Sequence, residues 1–119
     1  MSIETDIFDY VVDLMGVPTS PSLQTEKSFA VQLATMRTDT VFYDLSSTQT
    51  MSLLVLGKDT DQKTLANAMF EICDKISFNQ NEDLKIHNIN IATPPSYVCL
   101  EDGYYTWTCI VDVEFTKGN

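Results

Sequence analysis

The side chains able to do chemistry in this sequence are few: three cysteines (Cys73, Cys99 and Cys109), a single histidine (His87) and a pair of carboxylates two residues apart (Asp112 and Glu114). A thiol nucleophile needs an activating base, so a cysteine-dependent enzyme would have to pair one of the three thiols with His87. No local signature surrounds any of these residues. The cysteines are odd in number and show no C-x-x-C spacing, which fits free, packed thiols in a reducing compartment better than a disulfide framework. A zinc site would have to gather its ligands from a helix and two hairpin strands facing different ways, with only one imidazole to help. Asp112 and Glu114 share one face of a strand, a spacing that could seat two carboxylates as glycosidases do, but alternating strands routinely expose such pairs and nothing apolar around them would raise one pKa. The sequence contains no G-x-S-x-G, no P-loop and no G-x-G-x-x-G. The reading from these residues is a non-enzymatic protein with no catalytic residues, no cofactor and no metal.

Composition narrows the classes further. A chain of 119 residues, 44% hydrophobic with four glycines and four prolines, is the size and make-up of one ordinary globular domain (residues 1–119), without repeats or low-complexity segments. Seventeen acids against seven bases give a net charge of −10. Phosphate binding needs clustered lysine and arginine, so sequence-specific nucleic-acid binding is disfavoured; the plainest use of the acidity is solubility. The opening MSIETDIFDY carries acids where a secretory signal carries bases, and no apolar run approaches the roughly 20 residues that span a bilayer. The expectation is a protein made and kept in the cytoplasm, away from membranes.

The elements that must position these residues are organised around YYTWTCIVDVEFT, Tyr104 to Thr116. Its odd positions are apolar and most of the alternate ones polar, the pattern of a half-buried strand with helices on the Trp107 face. Ser2 caps a first helix over about 3–15, with Ile3, Ile7, Val11 and Leu14 on one side and Gly16 and Pro18 as its stop. VPTSPSLQTEK (17–27) is a loop that crosses a sheet edge. SFAVQLATM alternates as a strand, Arg37 to Thr40 reads as a turn, and VFYDL (Val41, Phe42, Tyr43, Asp44, Leu45) reads as a second strand completing a hairpin. After a loop at SSTQT, MSLLVLG reads as a central strand covered on both faces. Leu65, Ala68, Met69, Ile72 and Ile76 define a second helix over about 60–77. LKIHNINIAT switches parity near His87 and Asn88, which predicts a bulge. Pro94-Pro95 should interrupt pairing. SYVCLEDGYY then reads as a hairpin turning at Asp102-Gly103, with Leu100 opposite Tyr105, Val98 beside Trp107, Cys99 outward opposite Thr106 and Cys109 inward, so that Cys99 and Cys109 do not bridge. The fold class is α+β: an antiparallel sheet of about four to five strands with two helices packed on it, in the order α-β-β-β-α-β-β(β).

This order, and in particular LLVLGKDTDQKTLANAMFEICDKI followed by a strand ending in Pro94-Pro95 and a terminal hairpin, resembles the minor capsid and tail-terminator (head–tail joining) proteins of tailed bacteriophages and prophages. The resemblance covers most of the chain as pattern and element order. It implies a structural protein without catalytic residues, acting as a homo-oligomeric ring, commonly a hexamer, that stops tail-tube growth and meets tail-tube and head-connector proteins. Its place would be the virion, at the head–tail junction, after synthesis in the host cytoplasm. A ring through which DNA slides should not grip phosphate, and an acidic wall suits that. Phe42, Tyr43, Tyr97 and Tyr104 are the candidate subunit contacts, and Glu101, Asp102, Asp6, Asp9 and Asp13 the candidate lumen acids. Two other classes compete: a monomeric acidic adaptor binding a protein partner through a sheet edge or the first helix, and a cysteine enzyme using His87.

Overall fold

A computed structural model of the protein describes residues 2–20, 23, 27–44 and 46–118. Six elements follow in the order α1 (Ile3–Met15), β1 (Ser28–Val41), β2 (Ser47–Asp59), α2 (Gln62–Ile76), β3 (Ile86–Glu101) and β4 (Tyr104–Lys117). The strands form one antiparallel sheet in the order β1-β2-β4-β3, so β4 is central, as its length and alternation predict. Both helices begin where their caps place them. Ser2 Oγ accepts the Thr5 N–H at 3.2 Å and Asp61 Oδ1 accepts the Lys63 N–H at 3.1 Å, while Gly16 takes the left-handed conformation (φ 70°) that ends α1.

One face of the sheet is the core. Cys109, Val111, Val113 and Phe115 of β4, and Met51, Leu53 and Val55 of β2, are buried under Ile7, Val11 and Met15 of α1 and Leu65, Met69, Ile72, Cys73 and Ile76 of α2. Burying large apolar side chains stabilises the fold by about 1.5–3 kcal/mol each, which holds the helices on this face. Gly57 lets α2 come close: a Cβ there would lie 2.8 Å from Leu65 Cδ1 and 2.9 Å from Met69 Sδ. Among the described residues no helix covers the opposite face, where Leu54, Leu56 and Ile110 are half-buried only. The expectation that MSLLVLG is covered on both faces is therefore corrected. Its unbroken apolar run reflects a central strand with a partly apolar open side.

The fold is built from two α-β-β units in matching arrangement. The strand order reads the same from either edge, and a shift of 58 residues, the spacing between Ser47 and Tyr105 across the starts of β2 and β4, carries the first unit onto the second. Ile7, Val11, Met15, Val31, Met51, Leu53 and Val55 correspond to Leu65, Met69, Cys73, Ile89, Cys109, Val111 and Val113, and all of them are buried. Of these pairs only Val55 and Val113 share a residue type. The duplication is thus one of architecture and burial, without a repeat in residue identity.

Two further expectations are corrected. Arg37 to Thr40 is no turn, because β1 runs on to Val41, and VFYDL is no strand: Phe42 to Asp44 belong to the β1–β2 connection, with Leu45 outside the described residues. Of SSTQT, expected as a loop, Ser47 to Thr50 are the start of β2. Three expected strands between the helices are two, giving four strands among the described residues. The reason is cross-strand pairing of polar residues: Thr50 Oγ1 donates to Asp39 Oδ2 at 2.6 Å and accepts from the Arg37 guanidinium at 3.4 Å, with Arg37 Nε donating to Asp39 Oδ1 along β1, while Asp44 Oδ1 accepts from the Ser46 N–H and hydroxyl to close the turn.

In the second unit the predicted bulge lies between Ile86 and Asn88. Pro94 and Pro95 do not end β3, which continues through them because it is an edge strand and absorbs them in a register shift between Thr93 and Ser96. At the terminal hairpin Asp102 (φ 54°) and Gly103 (φ 82°) make the expected two-residue turn, with Leu100 opposite Tyr105 and Cys99 opposite Thr106. A bulge between Tyr97 and Cys99 puts Tyr97, not Val98, beside Trp107.

Candidate functional site

The helices cover only the middle of a long sheet, and the strands outrun them at opposite ends. Ser47 pairs with Lys117 at one end of the β2–β4 ladder and Asp59 with Tyr105 at the other. Twelve steps of about 3.4 Å separate these pairs by about 40 Å, consistent with a molecule measuring 54 × 22 × 20 Å. The β1–β2 turn lies beyond the first pair and the β3–β4 turn beyond the second. Each end leaves an apolar arm uncovered.

The first arm is the outer half of β1 and its turn. From Gln32 to Tyr43 every residue is exposed, Phe42 at 49% and Tyr43 completely, with Leu33, Met36 and Val41 on the same stretch. Of its polar residues, Arg37 and Asp39 are tied to each other and to Thr50 of β2. Hydrogen bonds from Thr50 and then from Arg37 hold the Asp39 carboxyl below its ordinary range, and Asp39 raises the Arg37 guanidinium in turn. The second arm is the outer half of β3 beside the start of β4. Tyr97, Val98 and Leu100 are each about half exposed. Tyr97 lies 6.5 Å from Tyr105, and Trp107 meets Phe70 of α2 edge-on at the same centroid distance. The Trp107 indole N–H is buried without an acceptor among the described residues.

Three of the four candidate contact residues lie on these arms: Phe42 and Tyr43 on the first, Tyr97 on the second. Tyr104 is half-buried on the opposite face of the sheet, with Lys58 Nζ 4.9 Å from its ring centroid. Val41, Val98, Leu100 and Leu33 were missed, because alternation says which residues share a face but not where the helix layer stops. The candidate lumen acids form two separate groups. Glu101 and Asp102 are exposed at the β3–β4 turn, whereas α1, carrying Asp6, Asp9 and Asp13, is tied to the other end of β4 by Lys117 Nζ donating to Glu4 at 2.6 Å. Within one chain the structure does not bring the two groups together.

The residues of possible catalytic chemistry are also dispersed. His87 is exposed and hydrogen-bonds Thr116, beside an open depression of about 560 Å³ lined by Gln80, Glu82, Lys85 and Ile86. No cysteine lines that depression. Cys99 is on the open face at the far end of the sheet, and Cys73 and Cys109 are buried in the core. Asp112 and Glu114 do share the open face, where Asp112 Oδ1 accepts the Ser52 hydroxyl at 2.6 Å. Among the described residues no cluster of three or more His, Cys, Asp or Glu side chains has the geometry to hold a metal ion, and no helix is long and apolar enough to cross a membrane. No protein-family model matches the chain, and no curated protein matches it in sequence.

Proposed function

We propose that this chain is a non-enzymatic structural subunit that associates head to tail into a closed ring, in the manner of a tail-terminator or head–tail joining protein of a tailed phage or prophage. The observation that carries the reading is the pair of dissimilar apolar arms at opposite ends of one elongated subunit. A ring built by rotation needs a heterologous contact, in which one patch of each copy meets a different patch of the next. Val41, Phe42 and Tyr43 at one end, and Tyr97, Val98 and Leu100 at the other, are such a pair of patches. Their lack of charge suits association of copies that each carry −10. On this reading the ring, commonly of six copies, sits at the virion's head–tail junction against tail-tube and head-connector proteins, and is made in the host cytoplasm.

The test is solution mass by light scattering, with electron micrographs of any large species, on the parent chain and two double variants. Phe42→Ser with Tyr43→Ser removes one arm, and Tyr97→Ser with Leu100→Ser the other. The parent should form rings and each variant alone should not, while mixing the two should give dimers through the one intact contact each mixture retains. Rings that survive both double variants, or a parent that stays monomeric to the highest attainable concentration, would overturn the reading.

The exposed β1 edge supports a second reading, a monomeric adaptor that binds an extended peptide by strand addition. It predicts a monomer at every concentration and loss of partner binding when a proline replaces a β1 residue such as Thr38.

A further inference from the structure

Two of the three thiols meet in the core. Cys73 lies on the buried side of α2 and Cys109 on the helix-facing side of β4, 36 residues apart in sequence, with their sulfurs 3.8 Å apart. Cys109 is fully buried and Cys73 retains 6% exposure. In the duplicated architecture their counterparts are Met15 and Met51, thioethers that fill the same two positions of the first unit without being able to cross-link. The third thiol, Cys99, is opposite Thr106 on the open face and out of reach of this pair.

A disulfide has its sulfurs about 2.05 Å apart, so closing this contact requires an approach of roughly 1.8 Å. We propose that Cys73 and Cys109 form a site of reversible covalent modification, in which a peroxide oxidises the pair to an intramolecular disulfide that fastens α2 to β4. The inference is independent of whether the protein forms rings.

The chemistry balances with hydrogen peroxide as the only added reagent. The Cys73 thiolate attacks one peroxide oxygen, the O–O bond breaks, and the departing hydroxide takes up the proton that Cys73 gave up, leaving water and a sulfenic acid on Cys73. The Cys109 sulfur then attacks the Cys73 sulfur, the S–O bond breaks, and the hydroxyl leaves as a second water with the Cys109 proton. The two thiols lose two electrons and the peroxide gains them. Cys73 is the member suited to the first step. It keeps the residual exposure, and the hydrogen bond with Cys109 lowers its pKa against the effect of burial, whereas that same bond and burial together push the Cys109 thiol up. Thiol reductants reverse the bond by exchange.

The test exposes the reduced, folded full-length chain to hydrogen peroxide, alkylates the remaining thiols after denaturation, and measures intact mass and bridge position. The bridge is mapped after cleavage at Lys85 and Glu101, which places Cys99 and Cys109 on separate peptides. The expected product has lost about 2 Da, carries one alkyl group, on Cys99, and returns to three alkylated thiols after dithiothreitol. Its melting midpoint should rise by about 5 °C or more, because the bond closes a 36-residue loop. Cys99→Ser should lose the same mass with no alkylation left. Cys109→Ala should instead leave a Cys73 sulfenic acid that dimedone traps. Three alkylated thiols after treatment, a mapped bridge that includes Cys99, or sulfinic acid on Cys73 without a bridge would each overturn the proposal, and the mapping on the parent chain decides it even if a variant fails to fold.

Discussion

Glu4 and Lys117 show how single residues tie the ends of the chain together. Glu4 is in the first turn of α1 and Lys117 is the last residue of β4, and their 2.6 Å contact is three-quarters buried on the glutamate side and about half exposed on the lysine side. The hydrogen bond from Lys117 is the main reason the Glu4 carboxyl lies below its ordinary value of 4.5, with a backbone hydrogen bond adding to it. A folded-state pKa below the unfolded one stabilises the fold above the unfolded value, and that stabilisation is lost as the pH falls through the folded value. Glu4→Gln should therefore lower stability near neutral pH by about 0.5–1 kcal/mol, the size suited to a partly exposed pair. The difference between parent and variant should shrink as urea titrations are repeated at pH values progressively below 4.5. A difference that does not change with pH would mean that the contact acts through packing rather than charge. Asp59 plays a similar joining part at the other end, where it accepts the Asp61 N–H and pairs with Lys27 at 3.3 Å.

At the scale of elements, the contact between β2 and α2 depends on the absence of a side chain. Gly57 faces Leu65, Met69 and Phe29, and an added Cβ would come within 3.1 Å of all three. Leu65 and Met69 are buried and have little room to move aside. Gly57→Ala should therefore destabilise the fold by about 1–3 kcal/mol through overpacking, even though alanine is the better residue for backbone entropy. Chemical denaturation would register this as a lower midpoint with unchanged slope. A stabilised variant would show that α2 can lift from the sheet at no cost. The two edge strands are defended differently from the centre. β3 carries two prolines and four register irregularities and β1 carries two, features that discourage uncontrolled edge pairing while leaving the apolar arms available.

At the scale of the whole molecule, length and charge work against each other. A compact chain of this length would have a radius of gyration of about 13.5 Å, whereas this one has 15.3 Å because the sheet extends past its helices. The overhangs expose the surfaces proposed for association, and the charge of −10 opposes bringing copies together. Salt screens that repulsion and leaves apolar contact intact. Association of the parent chain should therefore strengthen as sodium chloride is raised from low to physiological concentration and beyond, measured by sedimentation velocity. Weaker association at high salt would point to a contact made by charge pairs instead of the arms.

The sequence by itself determined what depends on neighbours along the chain. The bounds of α1, the body of α2, the buried parity of β4, the Asp102-Gly103 turn and the bulge near His87 all follow from caps, periods and turn chemistry that act within a few residues. Tertiary structure decided what depends on residues far apart. Arg37, Asp39 and Thr50 look like turn and loop residues until β1 and β2 are laid side by side, and then they are a cross-strand network. The single-sided cover of Leu54 and Leu56, the overhang that exposes Val41 and Leu100, and the contact between Cys73 and Cys109 depend on where the helices come to rest on the sheet. The duplication of the two units lay hidden for the same reason: packing selects side-chain volume and burial, which Met51 and Cys109 or Ile7 and Leu65 satisfy without sharing an identity.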